Sequence, residues 1–393
     1  MMKQSRTYKK LGEIATFSRG LTFAKADVAD ISSKKVLRSN NIDLNSHSLN
    51  YDDVACLNED FVIPNEKFLH KGDIFICMSN GSTQHLGKVA YIEDDIDYAF
   101  GGFMGAIHPN QSETAPKYIF YACLSPEYRR FLASVFNGIN INNLKWSELS
   151  KFAIPVPPLS EQSHIVSELD LLQSIIDKQQ AQLKELDKLA QAIFYDMFGD
   201  PVENEKGWKV KKIGNLCDVY RGGSPRPIEK FLGGTIPWIK IGDATKGDDI
   251  YLHQTKEHII EEGLKKTRYI HSGSLIFANC GVSLGFARII TFNGCIHDGW
   301  LAFDNISNEI EKVFFLKSLN FCTQYFRRIA PDGTQPNLNT AIMKSFNQIL
   351  PPLEIQKSYI EKTEAIEHQK ASINQSLAET QKLFDYTMDK YFG

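Results

Sequence analysis

The chain has 393 residues, of which 42% are hydrophobic and 23% charged, and its formal net charge is −3. That length allows roughly two to four domains, each with its own core. No stretch of about 18 apolar residues occurs, which excludes a membrane-spanning helix, and residues 1–5 lack the apolar core of a signal peptide, so we expect a cytoplasmic protein. Its seven cysteines form no Cys-x-x-Cys pair, which is typical of reduced thiols.

The charge is unevenly distributed along the chain. Net charges of 0, −4, +3 and −2 belong to residues 1–158, 159–199, 200–352 and 353–393, respectively. The two long segments are therefore neutral to weakly basic, a balance that permits contact with nucleic acid without establishing it.

Short apolar runs separated by Gly, Pro, Asn and Asp fill most of the first 158 residues. The run DIFICM at 73–78 is one example, and such runs predict strands joined by turns. The stretch 117–136 is typical of helix. Together these elements predict a mixed α+β domain.

A different pattern follows at residues 160–198, which contain no Gly or Pro and place apolar side chains on two positions of every seven. Gln179 is the polar exception. This pattern predicts one continuous helix with a coiled-coil seam, roughly 57 Å long at 1.5 Å per residue. The predicted seam residues are Ile165, Leu169, Leu172, Ile176, Leu183, Leu186 and Ile193.

The second half of the chain has the same plan, with a domain-like segment followed by a Gly- and Pro-free stretch at 354–392. Its seam is weaker, because Lys370 and Thr380 fall on seam positions. The simplest partner for each long helix is the other one, although each could instead bind a foreign protein. The predicted seam residues of this second helix are Ile366, Ile373, Leu377 and Phe384.

Internal similarity at a period of about 195–200 residues links the two halves. KLGEI at 10–14 matches KIGNL at 212–216, GFM at 102–104 resembles GWL at 299–301, and PPL at 157–159 matches PPL at 351–353. Similar segments follow in the same order at a nearly constant offset, which indicates a duplication.

These patterns predict an α+β fold with two tandem globular domains and two long α-helices that form an antiparallel coiled coil with pseudo-twofold symmetry. The predicted boundaries are 1–158 for the first domain, 159–199 for the central spacer helix, 200–352 for the second domain and 353–393 for the C-terminal spacer helix.

The chain resembles the specificity subunit of Type I restriction-modification systems over essentially its whole length. The segment VPPLSEQ at 156–162 is similar to that family's signature at the start of its spacer helix. LPPLEIQ at 350–356 is also similar, but Ile355 replaces the usual acidic residue. YRGGSP at 220–225 followed by IPWI at 236–239 is typical of the start of a target-recognition domain. The first copy, SRGLTF at 18–23, lacks the Ser-Pro and the Pro-Trp.

The resemblance implies a DNA-binding subunit of a phage-defence system that performs no chemistry of its own. Each target-recognition domain would read one half of a bipartite, asymmetric site in double-stranded DNA. The coiled coil would set the spacer and dock two methyltransferase subunits, and motor-nuclease subunits would complete an adenine methyltransferase and ATP-dependent endonuclease.

Four loops in each domain carry residue types suited to DNA. Reading the sequence needs side chains that form two hydrogen bonds with a base edge, Arg with guanine and Asn or Gln with adenine. Binding phosphate needs Arg, Lys, small hydroxyls and backbone amides left accessible by Gly. Loop 1 begins at Arg19 and Arg221, loop 2 at Arg38 and Lys240, loop 3 covers 79–85 and 279–283, and loop 4 covers 137–145 and 332–339. The predicted DNA contacts are Arg19, Gly20, Arg38, Asn40, Ser79, Gly81, Ser82, Thr83, Gln84, Lys88, Asn140, Asn142, Asn143, Lys145, Arg221, Gly222, Ser224, Arg226, Lys240, Asn279, Gly281, Ser283, Arg288, Gln335, Asn337 and Asn339.

Enzyme motifs do not occur in the sequence. There is no Walker-type nucleotide loop, no Asn-Pro-Pro-aromatic motif of adenine methyltransferases and no His spacing typical of a metal site. We therefore expect no catalytic residue, metal or cofactor. Two alternatives stay open, a coiled-coil adaptor with two protein-binding heads and a DNA-binding fragment of a single-chain restriction enzyme.

Overall fold

The computed structural model describes residues 7–136, 143–245, 249–330 and 337–393. The chain divides into two compact units, one formed by Met1–Lys178 with Leu377–Gly393 and the other by Gln179–Ser376. Each unit therefore contains one globular domain and part of both long helices.

The first domain is mostly strand. Its strands are β1 (Tyr8–Lys10), β2 (Ala15–Arg19), β3 (Val28–Ala29), β4 (Lys34–Leu37), β5 (Ala55–Leu57), β6 (Phe68–Leu69), β7 (Ile74–Cys77), β8 (Val89–Tyr91), β9 (Ile96–Phe100), β10 (Met104–Pro109) and β11 (Ala153–Pro155). Its helices are α1 (Leu11–Ile14), α2 (Pro116–Ala122), α3 (Pro126–Phe136) and α4 (Trp146–Leu149), followed by the long helix α5 (Leu159–Phe198).

The second domain repeats this order. Its strands are β12 (Lys209–Lys212), β13 (Asp218–Arg221), β14 (Leu232–Ile239), β15 (Tyr251–Leu252), β16 (Glu257–Ile259), β17 (Arg268–Ile270), β18 (Leu275–Ala278), β19 (Ala287–Ile290), β20 (Gly294–Ile296), β21 (Trp300–Asp304) and β22 (Asn347–Leu350). Its helices are α6 (Lys312–Phe321), α7 (Thr323–Ile329) and α8 (Thr340–Ser345), followed by the long helix α9 (Leu353–Phe392).

The sheets of the two domains correspond closely. One sheet has the order β2-β10-β7-β8 in the first domain and β13-β21-β18-β19-β15 in the second. The other has the order β3-β5-β4-β9-β6 and β16-β14-β20-β17, and it contains a parallel pair in each domain, β4 with β9 and β14 with β20. In addition, β1 pairs with β11 and β12 pairs with β22.

Strand β7 shows why the apolar runs are continuous rather than alternating. Ile74 and Ile76 pack in the core that includes the helices, whereas Phe75 and Cys77 pack in a second core beneath the other sheet. A strand buried on both faces needs apolar side chains at every position. The same division occurs in β18, so the repeat extends to the packing.

A buried glutamine fixes the start of each long helix. The side-chain oxygen of Gln162 accepts a hydrogen bond from the Ala115 N–H (2.9 Å), and its amide nitrogen donates to the carbonyls of Glu113 (3.0 Å) and Pro157 (2.8 Å). The side chain of Gln162 therefore binds its own helix to the loop before α2, which explains why the Pro-Pro-Leu motif includes a glutamine.

Gln356 makes the same three bonds in the second domain. Its oxygen accepts from the Glu311 N–H (2.8 Å), and its nitrogen donates to the carbonyls of Glu309 (3.2 Å) and Pro351 (2.7 Å). Both glutamines are fully buried, and a buried amide must have its hydrogen bonds satisfied.

Within each unit the two long helices pack antiparallel. In the second unit Gln179 donates to Ser376 (2.8 Å), and Asp187 pairs with Lys370 (2.8 Å). Since positions rise along α5 as they fall along α9, the directions are opposed. In the first unit Tyr391 donates to Glu168 (2.6 Å) near the start of α5. The predicted fold class, two tandem α+β domains with two long antiparallel helices, is confirmed.

Burial of the predicted seam is greatest near the domains. Ile165, Leu169, Leu172 and Ile176 are buried on α5, as are Ile366 and Phe384 on α9. The other seam residues, half-buried, are Leu183, Leu186, Ile193, Ile373 and Leu377.

Lys370, which interrupts the predicted seam, takes part in an ion cluster instead. Its ammonium contacts Asp187 of α5, Asp249 of the second domain and Glu367 of its own helix. Burial opposes the charged ammonium, but hydrogen bonds to Asp187 and Asp249 outweigh it and raise the pKa of Lys370. No helix in the described ranges combines the length and apolar character needed to cross a membrane.

Candidate nucleic-acid interface

Loops 1 and 3 leave one edge of the same sheet. Strands β2 and β7 both pair antiparallel with β10, so they run in the same direction and their carboxyl ends meet at that edge. Arg19 ends β2, and Ser79 lies two residues beyond β7. The strands β13 and β18 flank β21 in the same way.

A short turn joins these loops in the first domain. We call residues 101–103, between β9 and β10, the central turn of this domain. The Leu21 N–H donates to the Phe100 carbonyl just before it (2.6 Å), the Gly101 N–H to Leu37 (2.9 Å), and the Ser79 N–H to Phe103 (3.0 Å). Loops 1 and 3, and the residue directly before loop 2, thus all bond to residues 100–103.

The central turn of the second domain is residues 297–299. The Gly223 N–H donates to the Ile296 carbonyl just before it (3.0 Å), the His297 N–H to Ile239 (3.1 Å), and the Asn279 N–H to Gly299 (3.0 Å). The backbone bonds repeat between the domains, although the side chains on the turn do not.

Loops 3 and 4 also meet in both domains. Ser79 and Asn143 form an isolated antiparallel bridge, and so do Cys280 and Asn337. The structure therefore brings the described parts of all four loops together in each domain. Asn140, Asn142 and Gln335, which were also predicted as contacts, lie outside the described residues.

Gly20 and Gly222 are explained by packing. A Cβ atom on Gly20 would lie 2.0 Å from the Gly101 carbonyl oxygen, and one on Gly222 would lie 2.1 Å from that of His297. Any larger residue would push loop 1 away from the central turn. The repeated Arg-Gly pair therefore fixes the backbone, whereas only its arginine is exposed.

The exposure of the remaining predicted contacts falls into two groups. The exposed ones are Arg19, Arg38, Asn40, Gly81, Ser82, Thr83, Gln84, Asn143, Lys145, Arg221, Arg226 and Asn339. The half-buried ones are Ser79, Gly222, Ser224, Lys240, Gly281, Ser283 and Asn337.

Two predicted phosphate contacts are buried. The ammonium of Lys88, 8% exposed, donates to the Ile42 carbonyl (2.9 Å), and burial lowers its pKa. Arg288 is equally buried and contacts Asp249 (3.3 Å). Because each cation is used inside its domain, we no longer count either among the candidate contacts.

Two of the asparagines predicted to contact DNA form hydrogen bonds inside the domain instead. Asn279 is fully buried and donates to the side chain of Asn337 and the carbonyl of Leu338, both at 3.1 Å. Asn339 caps α8, since its side-chain oxygen accepts from the Ile342 N–H (2.9 Å). Asn279 thus ties loop 3 to loop 4 and leaves the candidate set, while Asn339 is an exposed N-cap.

The sequence reasoning missed the central turns themselves. It matched Gly102 to Gly299, whereas the structure matches Met104 to Trp300, because the Gly20 and Gly222 N–H groups donate to those two carbonyls. The corrected register places the central turns opposite each other, GGF in one domain and HDG in the other. The sequence contained a signal for this match, since β10 begins at Met104 and β21 at Trp300. The match of Gly102 with Gly299 is one residue away from it.

The central turns differ in chemistry. In the first domain Phe103 is 71% exposed on the same surface as the loops. In the second domain His297 and Asp298 replace the two glycines, and beside them lies a cavity of about 490 Å³ lined in part by Ser224, Arg226 and Trp238. One domain therefore presents an apolar ring where the other presents a polar cluster.

One hydrogen-bonded chain in the first domain has the residue types of a hydrolase triad. Ser18 contacts His108 (2.8 Å), which contacts Asp73 (2.6 Å). In the second domain Ser274 and Asp304, at the positions that match Asp73 and His108, are bonded to each other (3.2 Å). Within the ranges that the structure describes, no group of three or more His, Cys, Asp or Glu is placed to hold a metal ion.

Comparisons with known proteins agree with this architecture. The family model described as "Type I restriction modification DNA specificity domain" matches residues 5–188 and 205–381. The StySPI specificity subunit of Salmonella potsdam is 24% identical over 90% of this chain and 80% of its own length. The EcoKI specificity subunit of Escherichia coli (strain K12) is 25% identical over 96% and 86%, respectively.

Solved structures share the fold. The S subunit of the Type I restriction-modification system from M. genitalium has a TM-score of 0.59 at 15% identity and covers 100% of this chain and 98% of its own. A chain of the type I R-M system, solved for its complex assembly and conformational transition, has a TM-score of 0.60 at 18% identity, with 100% and 99% covered. Since the family model matches more than half of the residues, in two tandem segments, the chain belongs to the family of Type I restriction-modification DNA specificity proteins.

Proposed function

We propose that the chain is the DNA sequence-specificity subunit of a Type I restriction-modification complex, in which each domain reads one half of a bipartite, asymmetric site. The proposal rests on one observation: in both domains the same backbone bonds hold loops 1–3 around a central turn. We call this arrangement of loops the platform. A common platform with different side chains suits two readers of unlike half-sites.

The candidate contacts lie on the exposed parts of that platform. Exposed arginines can fork onto guanine, whereas the amides of Asn and Gln match adenine. Arg19 and Arg221 occupy matching positions at the ends of β2 and β13. The neighbouring Ser and Gly residues of loop 3 suit phosphate oxygens, which position the protein without reading sequence.

The long helices are proposed to bind the partner subunits of the complex. Two methyltransferase subunits would dock on the helices and neighbouring surfaces, and motor-nuclease subunits would join them. The complex would act in the cytoplasm, and the chain would contribute no catalytic group and no cofactor.

The Ser18–His108–Asp73 chain is the observation that most favours an enzymatic alternative. The α/β-hydrolases place the nucleophile on a sharp strand-to-helix turn, whereas Ser18 lies within β2, paired with Ala106. We therefore expect no labelling of the purified chain by a fluorophosphonate probe. Labelling that is lost in Ser18→Ala would establish hydrolase chemistry instead.

The helices are also proposed to set the unread spacer of the DNA site. One heptad adds about 10.5 Å to a helix, close to three base-pair steps of about 3.4 Å. Inserting one heptad near Gln179 in α5 and one at the facing part of α9 keeps both seams in phase. The spacer of the methylated motif should then lengthen while both half-sites stay the same, and an unchanged spacer would contradict this role.

The overall proposal is tested by producing the chain with its methyltransferase partners and mapping methylated adenines across a genome. A bipartite motif with an unread spacer is expected. A single contiguous motif, or no methylation, would contradict the proposal. A gel shift on duplex DNA, with and without the methyltransferase partners, tests the adaptor alternative. If the chain is a protein-binding adaptor, it should add no salt-dependent binding to DNA.

A further inference from the structure

Asp298 contacts loop 1 of the second domain through its carboxylate and through its main-chain oxygen. One carboxylate oxygen accepts from the Ser224 hydroxyl (2.6 Å), and the other lies 3.5 Å from the guanidinium of Arg226. Its main-chain oxygen accepts from the Nε of Arg221 (3.0 Å). One residue of the central turn thus holds two arginines predicted to contact DNA.

His297 supports this arrangement through its tautomer. Its Nδ1 accepts from the Gly299 N–H (2.9 Å), so the proton of the neutral ring resides on Nε2, 3.0 Å from Asp298. Burial lowers the pKa of His297, which keeps the ring neutral. Partial burial opposes the ionisation of Asp298, but the Ser224 hydroxyl and nearby cations hold its pKa below the usual value.

Asp53 performs the corresponding task in the first domain. One oxygen of its carboxylate accepts from Arg38 (3.1 Å) and from the Asn40 amide (3.0 Å), and its main-chain oxygen accepts from Asn40 (2.8 Å) and Asn41 (3.0 Å). It lies in a different loop from Asp298, so the duplication did not supply it. Each domain nevertheless has one aspartate that holds two predicted contact residues.

These bonds orient the predicted contact residues more than they stabilise the fold. The carboxylate of Asp53 is 76% exposed and that of Asp298 is 32% exposed, and exposed ion pairs contribute little to folding free energy. An exposed arginine is otherwise free to sample many rotamers. Arg226 also borders the cavity, so the contact with Asp298 restricts a side chain that has open space beside it.

We propose that Asp53 and Asp298 are positioning residues, each of which sets the sequence specificity of one half-site by holding the contact residues of its own domain. This inference rests on the proposed function. The bond from Arg221 uses its Nε, so both terminal amino groups stay available for the O6 and N7 acceptors of a guanine. That bond uses the main-chain oxygen of Asp298 and is kept in Asp298→Ala, whereas the contact with Arg226 uses the carboxylate. We therefore expect the half-site read by the second domain to contain a guanine whose recognition by Arg226 depends on the carboxylate of Asp298.

The experiment uses the full complex with its methyltransferase partners and the methylated motif of the wild-type chain. Asp298→Ala should reduce discrimination at one or two positions of one half-site by about tenfold and leave the other half unchanged. Asp53→Ala should do the same for the opposite half. The asparagine variants keep an acceptor for the donors and should lose less discrimination than the alanine variants.

Matched controls remove the same charge nearby. Asp52→Asn in the first domain and Glu229→Gln in the second change exposed carboxylates that hold none of the predicted contacts whose positions the structure describes. They account for any general gain in DNA affinity from a lost negative charge, and they should leave the motif intact.

The outcomes separate cleanly. Loss of discrimination confined to opposite halves supports the inference, because a merely destabilised chain would methylate all positions less. An unchanged motif in both alanine variants, or an equal loss in both halves, would overturn it while the proposed function stands. Failure of the wild-type complex to methylate a bipartite motif would instead overturn the proposed function.

Discussion

The two recognition domains share their internal bonds but differ at the centre of the surface where their loops meet. Gln162 and Gln356 make the same three hydrogen bonds at the start of each long helix. By contrast, Phe103 is exposed on one central turn while Asp298 carries a polar cluster on the other. Buried amides that must be satisfied constrain divergence after duplication, and exposed turns do not.

The largest effect expected concerns the shared bonds. Gln162→Leu and Gln356→Leu should each destabilise their own unit by about 3 kcal/mol, because each removes a fully buried amide that is the partner of one half-buried N–H and two carbonyls. Hydrogen–deuterium exchange at the core amides of β7 and β18 measures the stability of the two units separately. If one variant is clearly destabilised and the other is not, the two glutamines do not play the same role in their units.

A second effect should be confined to the second unit. Lys370→Met leaves Asp187, Asp249 and Glu367 without their shared cation, at a cost of about 2 kcal/mol. The exposed Lys382 of the same helix provides the control Lys382→Met. Equal melting temperatures for the two variants would show that the ion cluster adds no stability.

A smaller effect is expected at the central turn of the first domain. Phe103→Ala should leave the melting temperature unchanged, since the ring is 71% exposed, and should weaken binding of the complex to its site by about fivefold through a lost apolar contact. Ile31→Ala, at a residue that is 90% exposed elsewhere in the domain, is the control. If both variants bind equally well, the central turn does not contact DNA.

The smallest effect on DNA binding should come from a buried cation. Lys88→Met should leave the slope of log affinity against log salt concentration unchanged, because this ammonium bonds to Ile42 inside the domain. Lys145→Met, at an exposed residue of loop 4, should reduce that slope by about 1. A reduced slope for Lys88→Met would return this residue to the contact surface.

The sequence sufficed for the parts of the fold that follow from periodicity. The heptad pattern predicted both long helices, and the repeat predicted two domains of one plan. It could not separate Lys88 from Lys145, because a lone lysine directly before a strand or a helix has the same local pattern whether its ammonium points inward or outward. Nor could it find Asp53, which lies 15 positions after Arg38 in the chain and contacts it only through the tertiary structure.

The most direct test of the account replaces residues 1–155 with the corresponding domain of a relative and maps the methylated motif of the resulting complex. Because each domain has its own platform and its own contacts, one half of the motif should change to that of the donor. The other half should stay as in the wild-type chain. A swap that alters both halves, or neither, would contradict the claim that the two domains read DNA independently.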